Sequence, residues 1–270
     1  YIGMGVLLII IFISLLVGYE SFKPLVTPSP MITSRPYEKE KDKEKKDKKD
    51  KEKKDKKEWG FLTKAVFINL DDRKDRRKQI EGELFGKIGK DKVIRLDAIR
   101  DTVNGHVGCS KSHIKALDMA INGGWKNVLI VEDDAMFHKY EKGYKRLEEL
   151  VKSHPNFDVI TLGNVGASFD KQTGRLHDAQ TCTAYLVNGH YLKKLKKNFE
   201  DGLSQLEITK QIPNPADRVP YEQRYCVDQY WKSLQKTDHW YIVNPALMIQ
   251  RPSKSSIVGS HVDYTSHFNV

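Results

Sequence analysis

Val128-Leu129-Ile130-Val131-Glu132-Asp133-Asp134 is a run of four aliphatic residues that ends in three consecutive carboxylates. A short, unbroken apolar run is the pattern of a strand buried on both faces, as in a parallel sheet covered by helices. Carboxylates crowded this closely repel one another unless a cation sits among them, and hard oxygen ligands suit a divalent ion such as Mn2+ or Mg2+. The plainer alternative is that Asp133 or Asp134 only caps a following turn, and the residues alone leave both readings open.

Outward from this run, short apolar stretches alternate with amphipathic ones from Trp59 onward, which predicts an α/β sheet domain over residues 59 to 270. Strands are expected over 63–70, 92–96, 127–132, 158–162, 181–187 and 239–243. Helices are expected over 73–84, 110–121, 144–153, 190–199 and 227–234. Gly123-Gly124 provides a stop for the second helix.

The region before Trp59 is of another kind. Residues 1–19 carry no charge and are almost wholly apolar, which predicts a single transmembrane anchor rather than a cleaved signal. Residues 20–58 read as a linker. It contains Pro24, Pro28, Pro30 and Pro36, and then an octapeptide, Lys-Asp-Lys-Glu-Lys-Lys-Asp-Lys, at 41–48 that recurs unchanged at 49–56. The formal net charge of +10 does not make this a nucleic-acid tether. Residues 38–58 hold 12 Lys against 9 acidic residues, so the interleaved carboxylates cancel most of the local field and the remaining +7 is spread along the chain. Three cysteines, Cys109, Cys182 and Cys226, cannot all pair and match no zinc spacing. No Asn-x-Ser/Thr acceptor occurs.

Two further segments can carry chemistry. The first strand ends in Asn69-Leu70-Asp71-Asp72 and runs into Arg73-Lys74-Asp75-Arg76-Arg77. Arg73, Arg76 and Arg77 stand at i, i+3 and i+4, where one helix face could offer three guanidinium groups to phosphate; a solvated basic face capped by Asp71 or Asp72 is the equal alternative. In the second segment, Gly108-Cys109-Ser110-Lys111-Ser112-His113 is expected at a helix start whose free amides could receive a phosphate or a sugar hydroxyl, or else Ser110 is an ordinary N-cap. Cys109 has no activating base beside it in sequence, so no thiol nucleophile is expected.

Taken in order, these segments resemble glycosyltransferase family 25, which includes bacterial lipooligosaccharide and procollagen galactosyltransferases. The pieces are Phe67-Ile68-Asn69-Leu70-Asp71 with Arg73 and Asp75-Arg76-Arg77; Gly108-Cys109 with Ser112-His113; Val131-Glu132-Asp133-Asp134; Asp158 with Leu162-Gly163; Thr183-Ala184-Tyr185-Leu186; Val227-Asp228; and Pro245 with Gln250 and Ser256-Ile257. The resemblance spans nearly all of 63–261. It departs at Arg100-Asp101, where the family shows an acidic residue followed by glycine, and at Ser255-Ser256-Ile257, where the usual central Asp is a Ser.

The resemblance implies a GT-A-like fold and an inverting transfer of a hexose, such as galactose, from a UDP-sugar to a hydroxyl of a glycan or a collagen-like protein. It implies Mn2+ or Mg2+ at Asp133 and Asp134. The donor would be held by Asn69, Asp71, Arg73, Arg76, Arg77, Ser112, His113, Glu132 and Asp133. Inversion requires a base for the acceptor hydroxyl, and Asp228 is the candidate, its alternative role being a helix cap. The family places such a domain in the secretory lumen, whereas Lys23, Arg35 and Lys39 after the apolar segment favour the cytoplasmic side.

Overall fold

The computed structural model describes residues 58–257 and 259–268. The anchor expected at 1–19 and nearly all of the 20–58 linker lie outside the described residues. Among the described residues no helix is long and apolar enough to cross a membrane.

The chain order is β1 Lys64–Asn69, α1 Lys74–Lys87, β2 Val93–Asp97, α2 Gly105–Asn122, β3 Asn127–Glu132, β4 Ala135–Phe137, α3 Tyr140–Ser153, β5 Val159–Phe169, β6 Leu176–Asn188 and α4 Leu192–Glu207. There follow α5 Val219–Tyr225, α6 Val227–Tyr230, α7 Lys232–Thr237, β7 Trp240–Ile242, β8 Met248–Gln250, β9 Ser253–Lys254 and β10 His261–Val262. Six strands form one sheet in the order β2-β1-β3-β6-β5-β7. The β1 strand runs parallel to β2 and β3, β6 is antiparallel to both β3 and β5, and β7 is parallel to β5. This is the expected α/β architecture, with a mixed sheet rich in parallel pairs.

The strand period of two sorts the apolar residues onto two faces. Ala65, Phe67, Leu129, Val131 and Leu186 pack beneath Ile80 and Leu84 of α1 and Tyr144, Leu147 and Leu150 of α3. Val66, Ile68, Val128, Ile130 and Tyr185 pack on the other face against Ala116, Leu117 and Ala120 of α2 and Leu195 and Phe199 of α4. Each fully buried large aliphatic side chain contributes about 1.5–3 kcal/mol, so both faces must stay covered. That is why the strands read as unbroken apolar runs rather than as alternating ones.

Several elements differ from expectation. Helix α2 starts at Gly105, five residues before Ser110, because the Asn104 side chain accepts the His106 amide and serves as the N-cap. The expected 227–234 helix is two short ones that meet at Trp231. The β5 strand continues to Phe169 through small residues and register shifts that hide it from pattern reading. At Gly163 within it, an added Cβ would lie 1.7 Å from the Met248 carbonyl oxygen, so only glycine lets β8 cross here. The β4 and β8 strands form a small antiparallel sheet with no counterpart among the expected elements, pairing Ala135 with Gln250. This pairing carries Gln250 and Arg251 to the end of β3, where the Arg251 amide donates to the Asp134 carbonyl at 2.7 Å.

Candidate functional site

At the carboxyl ends of β1 and β3 lies a cavity of about 390 Å3. Parallel strands in open α/β sheets present ligand sites at this edge. In the β1–β3 register Ile68 stands opposite Glu132, so the next residues along each strand, Asn69 and Asp133, meet just beyond the strand ends. Asn69 Nδ2 donates to Asp133 Oδ2 at 2.7 Å.

The three carboxylates point different ways. Glu132, the last residue of β3, follows the period of Val128 and Ile130 onto the α2 face, where its Oε1 lies 3.7 Å from His113 Nε2. Asp133 and Asp134 leave the strand and meet Arg76 of α1, whose Nη1 is 2.8 Å from Asp133 Oδ1 and 3.0 Å from Asp134 Oδ2. The cation that crowded carboxylates demand is therefore present in part as a guanidinium. Arg76 is in turn held by Ser253 Oγ at 2.6 Å and the Lys254 carbonyl at 2.9 Å, which tie β9 to the site.

Each oxygen of Asp133 thus carries a hydrogen bond. Asp134 Oδ1 is buried with no hydrogen-bond partner, and so is Gln250 Oε1 nearby on the cavity wall. An orphaned buried anionic oxygen costs several kcal/mol unless a proton or a cation completes it. Burial, and then the neighbouring Glu132 charge, push the Asp134 carboxyl up to about 7. Burial raises the Asp133 carboxyl too, in spite of the Arg76 charge that pulls it down. A divalent ion suits the unpartnered Asp134 Oδ1, and Asp133, with one hydrogen bond on each oxygen, keeps lone pairs beside it.

Asp228, in the first turn of α6, also lines the cavity. It does not cap that helix. Its Oδ2 accepts the Thr181 amide at 2.9 Å and its Oδ1 accepts the Cys226 thiol at 3.1 Å. Thr181 has φ of 75°, a conformation that a β-branched residue adopts only under constraint and that costs about 1–3 kcal/mol. Asn164 Nδ2 clamps the same bend through the carbonyls of Gln180 and Thr181, at 3.1 and 3.0 Å. The strained bend of β6 thereby becomes a fixed wall beside Asp228.

The three arginines of the basic turn take different partners. Arg73 is the residue before the helix, paired with Asp75 and donating to Ser256 Oγ at 3.0 Å. Arg76 is buried on carboxylates, and Arg77 points to solvent beside Glu81. Of the three, only Arg76 lines the cavity, where its Nε is buried with no hydrogen-bond partner. Asp71 is exposed and pairs with Arg95, so neither it nor Asp72 caps α1. Ser112 and His113 line the cavity, but from the middle of α2. Their amides are spent in the helix, so the expected reception of a ligand on free amides at 108–113 does not occur. Ser112 Oγ instead links the Gly108 carbonyl to the Ile99 amide.

Sequence reasoning gave no site role to Gln250, Thr181, Gln180 or Cys109, all of which line the cavity. Gln250 and Cys109 stand in the segments that carry the family resemblance, which is the one signal that could have flagged them. The Cys109 and Cys182 thiols are pushed far above the usual range, by burial first and then by nearby carboxylates, in keeping with no thiol nucleophile.

No protein-family model matches the chain, and no curated protein does. Among solved structures it is similar to a glycosyltransferase involved in the glycosylation of the major capsid of PBCV-1, at a TM-score of 0.41 and 12% identity over 70% of this chain and 93% of that one. It is also similar to mannose-1-phosphate geranyltransferase from Thermus thermophilus, at a TM-score of 0.41 and 9% identity over 67% of this chain and 73% of that one. A third is A197 from STIV, at a TM-score of 0.34 and 12% identity over 70% of this chain and 95% of that one. Likenesses below a TM-score of 0.5 decide neither fold nor function, so function has to follow from the cavity's own residues.

Proposed function

We propose that this chain is a GT-A-like, inverting glycosyltransferase that moves a hexose, galactose first among candidates, from a UDP-sugar to a hydroxyl on a glycan or collagen-like protein. The observation that carries this reading is Asp134 Oδ1, a buried anionic oxygen with no partner at the ligand-binding edge of an α/β sheet. A bound Mn2+ or Mg2+ would neutralise the departing diphosphate. Asp134 is the ligand to that ion, and Asp133 acts with Asn69 and Arg76 to fix the carboxylate pair in place. Glu132, Ser112 and His113 line the donor side.

Asp228 is the candidate base, positioned by its bond from Thr181 to take the acceptor hydroxyl proton as the hydroxyl oxygen attacks the anomeric carbon. Such a base contributes about 10²–10⁴ in rate, so Asp228→Asn is expected to lower turnover by that factor with donor affinity kept. Normal turnover in that variant would remove Asp228 from the role. An N-terminal membrane anchor at 1–19 would hold the domain at a membrane surface, on the lumenal side by family and on the cytoplasmic side by flanking charge; nucleic acid is not among its partners.

The direct test is a panel of UDP-sugars with Mn2+, read as UDP release, then repeated with glycan and collagen-like acceptors. A second reading, a transferase-like module that binds donor without turnover, is favoured by Arg76, which already sits between Asp133 and Asp134. Donor binding with no UDP release from any sugar in the panel would select it.

A further inference from the structure

Among the described residues, one group of three cysteine, histidine and carboxylate side chains lies close enough to share an ion, and it is distinct from the Asp133-Asp134 pair. Cys109 Sγ, a ring nitrogen of His113 and a carboxylate oxygen of Glu132 all lie within 4.8 Å of one another. Cys109 and His113 are four residues apart on α2 and so share one helix face, and Glu132 reaches that face from the end of β3.

Two of the three are already aimed from outside. His113 Nδ1 lies 2.8 Å from the Tyr185 hydroxyl, and the ring stacks on Tyr185 with centroids 5.7 Å apart, so Nε2 is the nitrogen left to face Glu132. Gln250 Nε2 donates to Glu132 Oε2 at 3.0 Å, which leaves Oε1 toward His113. Outer partners that fix the tautomer and direction of metal-binding side chains are characteristic of built metal centres. The His113–Glu132 contact of 3.7 Å is too long for a hydrogen bond and leaves room between them. A tetrahedral ion with bonds of about 2.0–2.3 Å holds its ligand atoms about 3.3–3.5 Å apart, so side-chain movements of about an ångström would close the site.

We propose that Cys109, His113 and Glu132 form a second cation site in this cavity, selective for a borderline divalent metal of the Zn2+ class. One thiolate, one imidazole and one carboxylate match Zn2+ and disfavour Mg2+, the reverse of the all-oxygen preference at Asp134. Three protein ligands leave a fourth position open to the cavity, where a substrate oxygen or water would bind. The proposal does not rest on sugar transfer, and its test needs none.

The full chain, kept reduced and free of oxygen, is titrated with Co2+ as the probe. The expected result is one equivalent that produces sulfur-to-cobalt charge-transfer absorption in the near ultraviolet and is displaced by Zn2+. Cys109→Ser should abolish that band, while Cys182→Ser and Asp134→Asn should keep it. If Cys109→Ser fails to fold by circular dichroism, His113→Gln and Glu132→Gln replace it, each weakening Co2+ binding by about 10-fold or more. Absence of the band in the wild-type chain, its survival in folded Cys109→Ser, or unchanged Co2+ affinity in both substitute variants overturns the proposal.

Discussion

The central sheet holds a carboxylate at each of its two ends, and the two are treated in opposite ways. Asp158, just before β5, has both oxygens matched: Oδ1 lies 2.7 Å from His190 Nε2, and Oδ2 accepts the His239 amide at 2.7 Å. Its backbone also bridges neighbouring strands, donating to the His239 carbonyl and accepting from the Asn188 amide. Asp134, beyond the carboxyl end of β3, has one oxygen on Arg76 and the other on nothing. Both residues are acidic and close to strand ends, Asp158 buried and Asp134 half-buried with its Oδ1 enclosed, yet one is a fastener and the other an open valence. What separates the two carboxylates is the unfilled partner on Asp134.

The sharpest break of this comparison is to remove each carboxylate in turn. Asp134→Ala should abolish divalent-dependent donor binding, a loss of at least about 100-fold, with the fold intact, since the site's anionic ligand goes while Arg76 keeps Asp133. Isothermal titration with Mn2+ and a UDP-hexose reads this. Asp158→Ala should do the reverse. It should cost about 3 kcal/mol of stability in denaturant unfolding, because the His239 amide and the strand ends lose their anchor, and should leave the donor affinity of the folded protein unchanged.

A pH series sharpens the same contrast. The Asp134 carboxyl lies near 7 in the folded chain against an ordinary 3.8, so between those values the folded state holds a proton that the unfolded state has lost. Its stabilising contribution is complete below about pH 4, and it disappears as pH rises through about 7. Asp134→Asn should therefore be more stable than wild type at pH 8, by an amount on the order of 4 kcal/mol, and the difference should vanish near pH 4. A wild-type-minus-variant difference that stays flat from pH 4 to 8 would count against the open oxygen. The smallest effect is expected at Arg77, which touches neither carboxylate. Arg77→Ala should leave melting temperature and donor affinity unaltered, whereas a phosphate-binding arginine would weaken the donor strongly.

Much of this is legible in the chain without coordinates. The apolar run 127–132 names the central strand because both of its faces are buried, and the alternation of runs after Trp59 names an α/β sheet. Hidden are the features that depend on partners distant in sequence. Spacing puts Arg73, Arg76 and Arg77 on one face, but it cannot show that Arg76 turns inward to Asp133 and Asp134, 57 and 58 positions away. The true start of α2 escapes pattern reading because a cap lies in one side chain, Asn104, with no periodic signal of its own. The β4–β8 pair spans more than a hundred residues and three positions per strand, too short for any pattern, yet it sets Gln250 beside Glu132. The Cys109–His113–Glu132 grouping is invisible for the same reason: two members are helix neighbours and the third comes from the sheet.

The most direct test of the transferase reading is Mn2+-dependent UDP release from a UDP-sugar panel by the wild-type chain and by Asp134→Ala, with folding of both checked by circular dichroism. Wild type should release UDP from at least one sugar and lose that activity on chelation, and the variant should release none above background. Equal release by the two chains, or wild-type release unaffected by chelator, would contradict a metal held at Asp134.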